Sequence, residues 1–380
     1  MSNSATTPTH VTRRQALGLG GALGGAALLA ACSPSSTTPA GATATALQKN
    51  TGKITLLTWE TYHDQPWLAE YTKKTGVQFN AVTVGSGDEM FAKAQSGTVA
   101  ADVLYFDSGL IERFAKTNLI APVSADRLKN TGMVTTGLNW QKRNTYDGHL
   151  YAIPYNWGTQ PLMYNASVVT TPPDSWSALW DPQYKGKVVM FDAADVTIPM
   201  VALYVGAKDP YHLTDPEFEQ VRAALQKLRP QVRTIAKGFD DAVNIFAAGD
   251  GVIGYCQNIS EVTALNKAGK KFAWAFPKEG TPQWTDNAIL SPAGQRQEVY
   301  DFIDAGLTRA WQARFIEAST NNGILTTAEA TAAKIPQATL QGTNILDQSD
   351  PSFWKKMSPL EAPESITKRL ALWNEFKAGA

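Results

Sequence analysis

Residues 53–59 (KITLLTW) form an apolar run relieved only by threonine and lysine, the pattern of a buried strand. Residues 65–75 then place Trp67, Leu68 and Tyr71 at helical spacing, and Gly76 stands where a helix ends. Residues 77–84 (VQFNAVTV) alternate as a strand. Residues 85–97 open on turn residues and put Met90, Phe91 and Ala94 on one helical face. Residues 101–108 (ADVLYFDS) read as a strand ending on Asp107 and Ser108, and residues 109–120 as a helix. The alternation restarts at residues 186–195 (GKVVMFDAAD), a strand ending in Asp192 and Asp195. It continues through an amphipathic helix at 216–230, with Phe218, Val221, Leu225 and Leu228 on one face. Strands at 249–258 and 270–280 follow, residues 283–290 (QWTDNAIL) lead away from them, and helices at 296–307 and 364–379 complete the pattern. The fold class is α/β, with strand–helix alternation implying parallel sheets covered by helices. Residues 51–380 exceed the size at which one core stops growing, so two lobes are expected.

The N-terminal residues belong to a different pattern. Arg13 and Arg14 precede an apolar, Gly/Ala-rich run at 16–31, short for a membrane span of roughly 20 residues, so residues 1–31 read as a signal peptide. The paired arginines suggest twin-arginine export. Leu29-Ala30-Ala31-Cys32 resembles a bacterial lipoprotein box, which makes Cys32 the expected lipidation site and membrane anchor. Residues 32–50, rich in Ser, Thr, Pro, Gly and Ala, read as a flexible tether. The expected location is outside the inner membrane, as a periplasmic or cell-surface lipoprotein.

The charge balance excludes some function classes. Lys and Arg number 34 and Asp and Glu 34; removing residues 1–31 takes away two arginines and no acid, which leaves −2. Such a chain has no electrostatic footprint for nucleic acid. The only cysteine besides Cys32 is Cys256, which reads as a small buried hydrophobe. His10, His63, His149 and His212 are scattered without metal-ligand spacing, so no metal and no cofactor are expected. No nucleophile-elbow or zinc-protease motif occurs, and an exported hydrolase is only a remote alternative.

In sheets of this kind, ligands bind beyond the carboxyl ends of the strands. Two such ends carry chemistry: Thr58-Trp59-Glu60-Thr61-Tyr62, and Asp107-Ser108. Aromatic faces beside a carboxylate suit a small cation, because a buried ammonium needs replacement for its lost water and aromatic rings add attraction. Each residue also has a purely structural reading. Trp59 and Tyr62 could be core, Asp107 and Asp195 could cap helices, and Tyr155 and Trp157 read as packing.

At this point the sequence resembles the spermidine/putrescine-binding family of solute-binding proteins of ABC importers. Four stretches carry the resemblance in order: residues 58–79 (TWETYHDQPWLAEYTKKTGVQF), 151–165 (YAIPYNWGTQPLMYN), 175–195 (SWSALWDPQYKGKVVMFDAAD) and 276–290 (FPKEGTPQWTDNAIL). The resemblance implies a two-lobe periplasmic-binding-protein fold with ligand in the interlobe cleft. Lobe 1 would comprise 51–157 plus 288–324, and lobe 2 would comprise 158–287 plus 325–380. It implies a ligand site of Trp59, Tyr62, Asp107, Asp192, Asp195, Tyr255, Gln257, Trp284 and Asp286, with no catalytic residue. It also implies a monomer that captures a small cationic amine by hinge closure and delivers it to a membrane permease.

The sequence departs from the family pattern in three places. Thr61 stands where the family has an acid, so Glu60 should face away from the cleft, a one-residue shift reversing an extended side chain. Gln257 and Asn258 replace charged or aromatic groups, and Ile324 replaces a tyrosine. Fewer fixed charges and more amides imply a ligand with an amine plus hydrogen-bonding groups. The alternatives within the same fold are an opine-like or amino-acid-derived amine, thiamine, an aminophosphonate or ferric iron.

Overall fold

The computed structural model describes residues 46–379 apart from Thr61. The expected signal peptide, Cys32 and the tether up to residue 45 lie outside the described residues. The last tether residues do not behave as a tether. The Gln48 backbone N–H donates to the Gln295 carbonyl at 2.7 Å, and Leu47 packs against the core.

Along the chain, the first lobe opens with β1 (Lys53–Thr58), α1 (Gln65–Thr75), β2 (Gln78–Thr83), α2 (Gly87–Gln95), β3 (Val103–Asp107) and α3 (Ile111–Lys116). The short helix α4 (Trp140–Arg143) and the hairpin of β4 (Thr145–Tyr146) and β5 (His149–Leu150) precede the long strand β6 (Ala152–Thr159). The second lobe holds β7 (Leu162–Asn165), β8 (Val188–Phe191), α5 (Ala194–Tyr204), α6 (Asp215–Leu228), β9 (Val232–Ala236), α7 (Phe239–Ala248), β10 (Ile253–Tyr255), α8 (Ser260–Lys267) and β11 (Phe272–Ala275). Strand β12 (Thr281–Leu290) returns to the first lobe. It is followed by α9 (Gln297–Gly306), α10 (Arg309–Ser319), α11 (Thr327–Ala332), α12 (Gln337–Gln341), α13 (Pro351–Lys355) and β13 (Met357–Pro359). The last helix, α14 (Ile366–Ala378), packs on α5 and α6.

Local signals explain the elements. Gly76 ends α1 in the left-handed region at φ 83°, its N–H closing on the Thr72 carbonyl at 2.7 Å. Ser86 caps α2 by accepting from the Glu89 N–H at 3.1 Å, and Glu89 Oε2 accepts from the Gly85 N–H at 2.9 Å. Thr214 and Glu217 form a capping box at the start of α6, whose Phe218, Val221, Leu225 and Leu228 are buried as the periodicity requires.

The first sheet runs β13-β12-β3-β1-β2, with β6 on the other edge of β12. Strand β1 is parallel to β2 and β3, the product of two successive β-α-β crossovers. The second sheet runs β11-β7-β10-β8-β9. Each sheet has a separate aromatic and aliphatic core: Ile54, Leu56, Tyr105 and Phe302 in the first, Leu162, Met190, Phe218 and Trp373 in the second.

The lobe boundaries differ from those expected. All of β12, including residues 281–287, pairs within the first sheet, so the return crossing falls between β11 and β12. Residues 325–355 also pack with the first lobe: Phe353 joins its core, and Leu325, Ile335 and Ile345 form a cluster with Ala313 and Ile316 of α10. Leu360 and then α14 carry the chain's end back to the second lobe. The reason is visible in β12, whose side chains are buried along almost its whole length, so its apolar run gives no sign of which sheet it joins.

Candidate ligand-binding site

The carboxyl end of β1 builds the first wall. The Tyr62 hydroxyl donates to Asp286 Oδ2 at 2.5 Å and accepts from Asn156 Nδ2 at 3.0 Å. The Tyr62 ring is fixed edge-on against Tyr105 and Phe315, and its carbonyl accepts from the Tyr155 hydroxyl at 3.0 Å. His63 stacks on Tyr155 and is held neutral, burial lowering its pKa to about 3. The tyrosine therefore stands on a rigid aromatic base.

Asp286 is aimed by an irregularity in the sheet. Between Asp286 and Asn287 the register of β12 against β6 shifts: Asp286 opposes Asn156 and Asn287 opposes Pro154, leaving Tyr155 without a partner. Proline cannot donate to the ladder, and such bulges re-aim side chains. Burial raises the Asp286 carboxyl to about 7, and the nearby Asp107 carboxylate pushes the same way. The Tyr62 hydroxyl, and more weakly the Trp59 indole N–H turned toward it, pull it down. No regular hydrogen bond closes from Trp59, whose buried N–H has no partner.

Trp284, two residues earlier on β12, lies over Gly158 of β6. A Cβ at Gly158 would fall 2.3 Å from the indole, so only glycine leaves room for the ring. Trp59, Tyr62, Trp284 and Asp286 together form the first-lobe face of a cavity of about 600 Å³, joined by Ser86 and by Ser319, Thr320 and Asn321 after α10. The second lobe contributes Phe239, Gln257, Asn258 and one face of α8, namely Ser260, Thr263, Ala264 and Lys267. Gln160 enters from the crossover between β6 and β7. Asn258 Nδ2 donates to Asn321 Oδ1 at 3.2 Å, a hydrogen bond linking the two lobes at the rim.

Five of the nine expected residues thus meet at one cavity: Trp59, Tyr62, Gln257, Trp284 and Asp286. Tyr255 lies one layer behind, its hydroxyl donating to Gln160 Oε1 at 2.8 Å. Asp107 is also behind the wall. Its Oδ1 caps the following turn through the Gly109 N–H at 2.7 Å, and its Oδ2 accepts from the Thr285 N–H at 2.9 Å. Burial raises its pKa to about 6 against those two hydrogen bonds. Asp195 sits in the first turn of α5 outside the cavity wall. Its carboxyl is raised by the surrounding protein and steadied by the N–H groups of its own turn.

Asp192 is elsewhere. It accepts from Trp373 Nε1 at 2.7 Å and Lys377 Nζ at 3.0 Å, tying α14 to the end of β8. Glu60 is exposed and off the cavity wall, and Ile324 is buried in the first core. Cys256 is buried, with its Sγ 3.1 Å from the Asn258 carbonyl. Sequence reasoning missed Asn156, Gln160 and Lys267. Asn156 and Gln160 flank the recognised Trp157-Gly158-Thr159 segment; Lys267 carried no signal, lying in a stretch to which the sequence pattern assigned no element.

Comparison with known proteins agrees with this architecture. A profile of the bacterial extracellular solute-binding proteins matches residues 66–341. The spermidine/putrescine-binding periplasmic protein 1 of Haemophilus influenzae is 26% identical over 276 residues, spanning 72% of this chain and 74% of that protein. The spermidine/putrescine-binding periplasmic protein of Escherichia coli is 27% identical over 244 residues, 63% of this chain and 68% of that protein. The structure of a spermidine/putrescine ABC transporter substrate-binding protein from Streptococcus pneumoniae has a TM-score of 0.72 at 21% identity, covering 86% of this chain and 99% of that chain; it shares the fold. These relatives are transport binding proteins, not enzymes. Two α/β lobes meeting at a ligand-sized cavity, and a family profile spanning most of the sequence, lead to one conclusion: the chain belongs to the bacterial extracellular solute-binding proteins.

Proposed function

We propose that this protein captures a small solute through a protonated amine held at Asp286 between Trp59, Tyr62 and Trp284, and delivers it to an ABC permease. The observation that carries the reading is the setting of Asp286. It is a buried carboxylate with one oxygen held by Tyr62, no regular protein hydrogen bond to the other, and two indoles on the same wall. A buried carboxylate without a counter-ion is unfavourable, and an ammonium entering beside it relieves that cost while the rings contribute about 0.5–2 kcal/mol each. The names of the curated relatives make polyamines such as putrescine and spermidine the first candidates.

Capture operates by hinge closure. The cavity has walls from both lobes, so a ligand that touches both favours the closed arrangement by its differential affinity. The residues that stand apart from the wall act behind it: Asp107 and Asp195 order the loops at the junction, and Tyr255 orients Gln160. A lipid at Cys32 would keep the protein beside its permease.

The test is a thermal-shift panel of putrescine, spermidine, agmatine and short aminoalkanoates on protein freed of carried ligand. A ligand at 100 times its Kd stabilises by about 2.7 kcal/mol. An amine-dependent rise in Tm that disappears in Asp286→Asn supports the reading; no rise with any amine contradicts it.

A further inference from the structure

The donors and acceptors on the cavity wall are unevenly matched to a plain diamine. Among the described residues, Asp286 is its only carboxylate and Lys267 its only ammonium. The two charges belong to opposite walls, Asp286 to β12 of the first lobe and Lys267 to the last residue of α8 in the second. Ser260, Thr263, Ala264 and Lys267 recur at i, i+3, i+4 and i+7, one stripe of a helix. At 1.5 Å per residue this stripe extends the site along about 10 Å, with a hydroxyl at one end and the ammonium at the other.

The neutral groups lean the same way. The Gln160 oxygen already accepts from the Tyr255 hydroxyl, and its N–H groups make no hydrogen bond within the described protein. The Trp59 indole N–H is buried without a partner. Against these donors, the acceptors free for a ligand centre on Asp286 and on the Gln257 Oε1 atom, which is also buried and unpaired. A diamine presents donors alone. It would satisfy Asp286 and Gln257 but leave the Gln160 amide unmatched, and it would bring its second ammonium into a cavity whose described wall holds another cation and no second carboxylate. Leaving such groups unpaired on closure is the stronger source of discrimination.

Resting on the amine reading above, we infer that the ligand is zwitterionic, with an ammonium at Asp286 and an anionic group, such as a carboxylate, facing Lys267, and that Lys267 sets this specificity. Lys267 is exposed on its helix, so replacing it does not threaten the core.

Calorimetric titration of the purified protein with length-matched pairs tests this: 4-aminobutanoate against putrescine, and 5-aminopentanoate against cadaverine. The aminoalkanoate of each pair is expected to bind at least about tenfold more tightly, the equivalent of about 1.4 kcal/mol. Lys267→Gln should erase most of that ratio and Lys267→Glu should reverse it. Diamines binding more tightly, with a ratio unmoved by either variant, would overturn the inference while leaving the amine reading standing. Silence from both series, with Asp286→Asn without effect, would overturn the amine reading and this inference together.

Discussion

Asp286 is balanced between protonated and charged forms: burial and Asp107 raise its pKa to about 7, and the Tyr62 hydroxyl and, more weakly, the Trp59 indole N–H hold it down. An ammonium binds the charged form only, so a proton competes with the ligand below that value. Amine affinity should be flat above about pH 8 and fall by up to about tenfold per unit on the acid side of pH 7, a dependence that titrations from pH 5.5 to 8.5 would read and Asp286→Asn would remove. Tyr62→Phe removes the donor and leaves Asn156 Nδ2 without its partner. Affinity at pH 7 should drop by about 1–3 kcal/mol, the cost of unpairing a buried charged acceptor, and the acid limb should move to higher pH. The pairing of Trp284 with Asp286 was readable in the sequence because both fall within one short segment. Asn156 was not, because its role depends on a bulge that places residues 62, 156 and 286 together.

At the scale of elements, β6 and β12 carry the site and α14 does not. Gly158→Ala would push the Trp284 ring off β6, with an overpacking cost of about 1–3 kcal/mol and weakened amine binding, measurable by denaturant unfolding and calorimetry. Asp192→Asn gives the opposite separation. It weakens the tie between β8 and α14 by about 1 kcal/mol, while ligand affinity stays unchanged. The two acids of DAAD look equivalent in sequence. What distinguishes them is a tryptophan 181 positions away, a contact no local pattern encodes. The β-α-β alternation of the first lobe was legible because each strand is a short apolar run punctuated by turn residues and caps. The stripe of α8 went unread as an element and as a cavity wall, since Ser, Thr and Lys at that spacing look the same against water.

The whole molecule stores its electrostatic cost near the lobe junction. Asp107, Asp286 and Glu261 are all raised by burial, to about 6, 7 and 8. A carboxyl whose folded pKa lies above its unfolded value holds its proton more tightly when folded. Its contribution is full below the unfolded pKa near 4 and is lost as pH rises through the folded value. The ligand-free protein should therefore lose stability from about pH 5 to 8.5, by at most about 1.4 kcal/mol per unit for each carboxyl inside its window. Thermal unfolding should show the decline shallower in Asp286→Asn. The presence of two lobes followed from chain length and the restart of the pattern. Their boundaries did not, because the apolar run of β12 could serve either core and only pairing with β3 and β6 assigns it, while residues 325–355 are assigned by packing against α10 and the first core.

The central claim is that an amine is held as an ion pair with Asp286, and proton bookkeeping during binding tests it most directly. Calorimetric titration of the best ligand near pH 7, in buffers of different ionisation enthalpy, counts protons exchanged. With Asp286 near half protonation beforehand and charged afterwards, binding should release about half a proton, rising toward one at pH 6 and vanishing with Asp286→Asn. Binding of undiminished affinity in that variant, with no proton released by the native protein at either pH, would contradict the account.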